Sequence, residues 1–188
     1  MKKIILSLAM CVISTLSFAQ KGEFAVEGAF SFSTSKVTPD GGSSSKNTDV
    51  SLLPGFSYFI ANNTAVGANI GFEYSKNGST DAKTSLFVFQ PFVRYYYALG
   101  EKFTYAPEVY IGVGLGTYKV GNISNDITAW QIGTKIVRFE YAIAPKIKLS
   151  FSAGTIGYEY AKVDNVGKTN NFNAGINIEP TLGFSYTF

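Results

Sequence analysis

The chain has 188 residues, with 16 Lys and Arg against 13 Asp and Glu, one Cys and no His. The missing histidine removes the commonest general base and the commonest metal ligand. Charged residues and aromatics each make up 15%, against ~25% charged in a typical soluble domain, and a formal charge of only +3 does not suggest a nucleic-acid partner.

The chain starts MKKIILSLAMCVISTLSFAQ. Lys2 and Lys3 precede an apolar run from Ile4 to Leu16, and Ser17 and Ala19 put small residues at the −3 and −1 positions of a cut between Ala19 and Gln20. That is a secretory signal-peptide pattern, with an apolar run too short to span ~30 Å as a helix. Cys11 lies within the run behind Met10, where a lipoprotein cut would need a small residue, so it is read as part of the signal. The expected organisation is a signal peptide at 1–19 and one domain at 20–188. That domain has no cysteine, and its 14 basic residues almost balance 13 acids. Disulfides, thiol nucleophiles and thiolate metal sites are excluded from it. No later stretch is apolar for 18 residues, so no transmembrane helix is predicted.

From Gly22 onward the apolar period is two, the period of a strand. Gly22 to Ser35 sets Phe24, Val26, Phe30 and Phe32 against Glu23, Glu27, Ser31 and Ser33. A polar run at 36–47 follows. Thr48 to Phe59 aligns Val50, Leu52, Phe56 and Tyr58, and Ala61-Asn62-Asn63 reads as a tight turn. Ala65 to Ser75 sets Val66, Ala68, Ile70, Phe72 and Tyr74 against Gly67, Asn69, Gly71 and Glu73, before a polar run at 76–83. Ser85 to Ala98 sets Phe87, Phe89, Val93, Tyr95 and Tyr97 against Gln90, Arg94 and Tyr96, and Leu99 to Lys102 turns the chain. Phe103 to Val120 sets Tyr105, Val109, Ile111, Val113 and Leu115 against Glu108, Tyr110, Gly112, Gly114 and Gly116. A loop is expected at 121–126, two strands at about 127–143 and 147–160 around a turn at Ala144-Pro145-Lys146, a loop at 161–169, and a last strand at about 170–188.

These are eight strands with alternating long and short connections. The pattern predicts an all-β fold, an eight-stranded antiparallel up-and-down transmembrane β-barrel with its longer loops outside. Strands six and seven break parity, which points to one β-bulge near Ile136-Val137 and one near Gly154. A soluble barrel would turn its apolar rows inward. Here the opposite rows carry Glu27, Glu73, Arg94, Glu108, Glu159 and Glu179, joined past the bulge by Lys135, Arg138 and Glu140. A dry core could not bury so many charges, so the apolar rows are assigned to lipid and the charged rows to a polar lumen. Aromatics gather at strand ends: Tyr58, Phe59, Tyr95 to Tyr97, Phe103, Tyr105, Tyr141, Tyr186 and Phe188 as an inner girdle, and Phe32, Tyr74, Trp130, Tyr158 and Tyr160 as an outer one. The similar strings NIGFEYS (69–75) and TIGYEYA (155–161) hold equivalent places in such a barrel.

The best local constellation is a luminal charge network of Arg94, Glu108, Arg138, Glu140 and Lys135. A turn at 99–102 sets Arg94 roughly opposite Glu108, and a loop at 121–126 sets Glu108 roughly opposite Arg138. Charge-assisted bonds there either plug the lumen or gate it. GVGLG (112–116) is no dinucleotide loop, because its glycine spacing is wrong and no helix follows. Carboxylates such as Glu73 and Glu159 near the outer rim could in principle act as acid and base, but they are read as lining solvent or binding cations, and no enzymatic activity is expected.

The chain ends TLGFSYTF, with Leu182, Phe184, Tyr186 and Phe188 on one side. With that terminus, the whole region after the signal resembles the small eight-stranded outer-membrane barrels of the OmpA/OmpX type, in the stand-alone form common in Bacteroidetes. The resemblance implies that Thr181, Gly183, Tyr186 and Phe188 are an assembly signal read by the barrel-assembly machinery. It further implies a bacterial outer-membrane location among lipid and lipopolysaccharide, as a monomer without cofactor or metal. No peptidoglycan-binding domain follows Phe188, a departure from the OmpA pattern. The expected function is a structural or surface-interaction barrel with a plugged lumen. The alternative is a narrow porin-like conduit for small or apolar solutes.

Overall fold

The computed structural model describes residues 21–38, 44–175 and 181–188. The expected signal peptide and its cut at Ala19 and Gln20 lie outside these residues. The described chain forms one antiparallel sheet of thirteen segments. In order these are β1 (Phe24–Val37), β2 (Ser45–Ala61), β3 (Thr64–Asn77), β4 (Ala82–Tyr95), β5 (Tyr97–Ala98), β6 (Phe103–Tyr105) and β7 (Glu108–Val120). They continue with β8 (Ile123–Lys135), β9 (Arg138–Ala144), β10 (Ile147–Ser152), β11 (Thr155–Val163), β12 (Gly167–Gly175) and β13 (Thr181–Thr187). Neighbours in sequence are mostly neighbours in the sheet, an up-and-down arrangement. The sheet is barrel-like because β13 pairs with both β1 and β10, which joins the two ends of the chain. Phe188 N–H donates to the Phe24 carbonyl at 2.8 Å, so the last residue is tied into the ladder.

The thirteen segments differ from the eight uninterrupted strands expected, and each described break has a local cause. Pro107 has no N–H to give a ladder, and its carbonyl accepts from Tyr95 instead. Gly154 has φ +96°, a left-handed conformation that suits glycine. It lies opposite the break at Ile136-Val137, where Ala153 N–H donates to the Val137 carbonyl at 2.8 Å. The two parity changes read from sequence therefore meet side by side. Thr134 and Ile132 share the outward row before the break, whereas Arg138 and Glu140 are buried after it.

The polar runs expected as long loops mostly continue the ladder. β1 and β2 pair as far as Val37 opposite Ser45. Residues 76–83 contract to a turn at 78–81 with Asp81 at φ 51°, residues 121–126 to a turn at Gly121-Asn122, and residues 161–169 to a turn at 164–166 with Asn165 at φ 60°. Aspartate, asparagine and glycine tolerate this backbone, so tight turns form and the polar flanks remain strand.

The faces are inverted relative to a soluble domain. Outward Phe72 and Leu115 are 65% and 61% exposed, whereas inward Arg94 and Glu108 are 3% and 1% exposed. This distribution suits lipid outside and a polar interior. The inward face is not wholly polar. Phe59 packs on Tyr96 with ring centroids 5.2 Å apart, and Ala25, Ala65 and Ala106 complete a small apolar cluster at the end where the chain termini meet. Phe59, expected in the inner aromatic girdle, is instead an inward residue only 2% exposed, and Tyr96 joins it. Tyr95, Tyr97, Phe103, Tyr141 and Phe188 do stand outward.

Candidate functional site

Immediately above that apolar floor lies the densest polar constellation of the interior. Arg94 comes from the end of β4, where alternation from Gln90 through Phe92 keeps it inward. Its direct register partner is Glu108, the first residue of β7, because the turn at 99–102 folds the two segments back on each other. Arg94 Nη2 lies 2.5 Å and Nε 2.9 Å from Glu108 Oε2. The same guanidinium makes a two-pronged contact with Glu27 of β1, Nη1 to Oε2 at 2.8 Å and Nη2 to Oε1 at 3.1 Å. Nη1 also donates to the Tyr96 hydroxyl at 3.0 Å, and the cation lies 4.4 Å from the Phe92 ring centroid. A planar guanidinium with five N–H groups can give the five hydrogen bonds made here, whereas an ammonium has only three donors.

The other side of Glu108 belongs to β8. Lys135, the last residue of β8, is its register partner, and Lys135 Nζ lies 2.6 Å from Oε1. Arg138, expected in that place, stands further off, with Nε 3.9 Å from Glu108 Oε2. The break at Ile136-Val137 displaces it from the register. Its main partner is Glu140 on the same inward row of β9, at 2.8 Å. Arg138 also approaches Glu27 at 3.6 Å, and Glu140 approaches Arg94 at 3.7 Å and Lys148 of β10 at 3.7 Å. All five residues named from the sequence thus lie in one cluster. It also contains Glu27, Lys148 and Tyr96, which the sequence placed on inward rows or left unremarked. Three carboxylates face four cations, a formal balance of +1.

Burial makes these charges consequential. Arg94, Glu108 and Glu140 are 2–3% exposed or less, and an unpaired charge there would lose its hydration without replacement. Networked partners offset that cost and hold the side chains in place.

On the far side of the network the interior is open. A cavity of about 380 Å³ is lined by Glu27, Asn69, Gln90, Arg94, Glu108 and Lys135 among others. A second of about 460 Å³ adjoins it toward the other end. Glu73, Gln131 and Glu159 border both, and Leu86, Val88 and Ile127 give the second an apolar wall. Among the described residues no group of three or more His, Cys, Asp or Glu could hold a metal ion.

At the C-terminal strand, Gly183 pairs with both Ala29 and Ser150. Tyr186 and Phe188 stand together with ring centroids 4.9 Å apart, and Phe188 is 63% exposed. The side chain of Thr181 lies outside what is described.

Comparison with known proteins agrees with this architecture. The Neisserial surface protein A structure superposes with a TM-score of 0.50 at 17% identity, over 88% of this chain and 96% of that one. OprG from Pseudomonas aeruginosa gives 0.46 at 18% identity over 92% and 98%. Ail, the attachment invasion locus protein of Yersinia pestis, gives 0.44 at 14% identity over 90% and 100%. The likeness to Neisserial surface protein A, at 17% identity, concerns the fold. No curated protein matches the chain. The family model for the outer membrane protein beta-barrel domain matches residues 4–179, nearly the whole chain, and the protein is a member of that bacterial outer-membrane family.

Proposed function

We propose that this protein is a monomeric barrel of eight membrane crossings, with a structural or surface-interaction role and a lumen plugged at one end. In this reading β4 with β5, β6 with β7, β8 with β9, β10 with β11 and β12 with β13 each count as one crossing. An eight-stranded barrel has an interior just wide enough for its own side chains. The observation that carries the plug is Arg94, clamped between Glu27 and Glu108 and seated over the buried Phe59–Tyr96 pair. A solute leaving the cavities toward the termini would have to break buried ion pairs and then displace an apolar layer.

The chemistry available in the interior is recognition and packing. Glu73 and Glu159 have no histidine or thiol partner in the domain, and the role assigned to them in this reading is to line the cavities. During biogenesis, cleavage between Ala19 and Gln20 would release the domain, and the assembly machinery would read Thr181, Gly183, Tyr186 and Phe188. Lipopolysaccharide and lipid would be the standing partners.

A narrow conduit is the second reading, supported by the two adjoining cavities of about 380 and 460 Å³. Single-channel recording of the refolded protein in planar bilayers separates the two. The plug predicts a closed trace. Sustained openings whose conductance changes on substitution of Arg94 or Arg138 would overturn it.

A further inference from the structure

Half of the domain's 14 basic residues are absent from the lumen and the turns, and they stand together elsewhere. Lys36 on β1, Lys46 on β2, Lys76 on β3, Lys83 on β4, Lys119 on β7, Lys162 on β11 and Lys168 on β12 all lie at the end remote from the chain termini. Strand alternation puts each on the outward face. Lys36 continues the row of Phe30 and Phe32, Lys76 that of Phe72 and Tyr74, Lys119 that of Val113 and Leu115, and Lys162 that of Tyr158 and Tyr160. The lysines therefore cap the apolar rows and do not face the cavities.

The register sets them against one another. Lys36 is opposite Lys46, Lys83 is opposite both Lys76 and Lys119, and Lys162 is opposite Lys168. Like charges directly across a ladder destabilise it. Lys76 has Asp81 at 3.0 Å and Lys162 has Asp164 at 2.8 Å. Lys36, Lys46, Lys83, Lys119 and Lys168 have no ion pair among the described residues. The remote rim also carries Asp81, Asp126 and Asp164, so among the described residues seven lysines there face three outward or turn carboxylates, whereas the rim beside the termini sets Lys21, Lys102 and Lys146 among Glu23 and Glu101.

A row of cations that stands outside the barrel, above the apolar band and over Tyr74, Trp130, Tyr158 and Tyr160, lies at headgroup height. Aromatics at this level mark the membrane–water boundary, and a lysine near an anionic surface gains about 1 kcal/mol. We infer that this lysine belt binds the phosphate groups of lipopolysaccharide in the outer leaflet. Each phosphate would bridge lysines of adjacent strands and relieve their mutual repulsion. The inference rests on the barrel reading above, with the termini on the inner side.

The test uses the refolded protein in phosphatidylcholine nanodiscs, titrated with diphosphoryl lipid A or with the same lipid after enzymatic dephosphorylation. Trp130 is the reporter. It is the chain's only tryptophan, and its ring stacks 5.8 Å from Tyr160, in the row that ends at Lys162. Diphosphoryl lipid A is expected to bind at least tenfold more tightly than the dephosphorylated form, with the gap narrowing as salt rises. The K76Q/K83Q/K119Q variant should lose on the order of a hundredfold, about fivefold per lysine, while K102Q on the other rim keeps the preference. Equal binding of the two lipids by protein that keeps its heat-modifiable gel shift would overturn the belt and leave the barrel standing. So would an unaltered preference in the triple variant, or an equal Trp130 response to inorganic phosphate. Loss of the gel shift in the wild type would instead overturn the barrel reading itself.

Discussion

Arg94→Ala is the most informative single perturbation of the interior. It removes five hydrogen bonds, two to Glu108, two to Glu27 and one to the Tyr96 hydroxyl. The two carboxylates are not left in equal states. Glu108 keeps Lys135 at 2.6 Å, whereas Glu27 keeps only Arg138 at 3.6 Å, beyond hydrogen-bond reach. Removing one partner of a buried ion pair costs about 3–5 kcal/mol because the other charge stays behind. With Glu108 still paired, the loss should fall near the lower end, about 3 kcal/mol. Most of it should come from Glu27, so adding Glu27→Gln to Arg94→Ala should restore about 1–2 kcal/mol by removing the orphaned charge. Denaturant unfolding of protein reconstituted in lipid, followed by Trp130 emission and checked by the gel shift, reads both numbers. An Arg94→Ala loss under about 0.5 kcal/mol would fall within the range of ordinary surface substitutions and would refute the argument. A double variant less stable than the single one would show that Glu27 is not the group left unpaired.

The inversion of the faces can be tested by parity. Ile111 is 53% exposed on the outward row of β7, and Ile111→Arg should cost about 2–4 kcal/mol in a bilayer. Gln131→Arg, on the cavity wall beside Glu159, should cost far less; comparable losses would contradict the assignment of outward to lipid. Deleting Phe188 removes the exposed terminal aromatic and its N–H bond to Phe24. It should reduce the amount of protein reaching the outer membrane in cells, and unchanged levels would argue against a role in assembly.

The fold was legible because its signal is local. A period of two repeated along the chain needs only neighbouring residues, and a row of phenylalanines opposite a row of carboxylates names the lipid side without coordinates. Even the two parity changes could be located, since a bulge shifts every later residue to the other face. Arg94 and Glu108 could be paired for the same reason, being joined by one short turn. Turn length was harder to read. Polar residues at 76–83, 121–126 and 161–169 look like loop, yet a hairpin ladder can continue through them wherever Asp81, Gly121 or Asn165 adopts the backbone the turn needs.

The sequence by itself thus determined a membrane barrel architecture, the inward rows and one ion pair of the network. Only the tertiary structure decided the rest. Glu27 reaches Arg94 from 67 residues away, across an interior whose width no strand pattern contains. Alternation sets Tyr58 in the outward row and Phe59 opposite it, but that Phe59 seals the end of the barrel is decided by its packing on Tyr96. The lysine belt is a matter of register. Each lysine looks solitary along the chain, and their opposition appears only when seven strands are laid side by side.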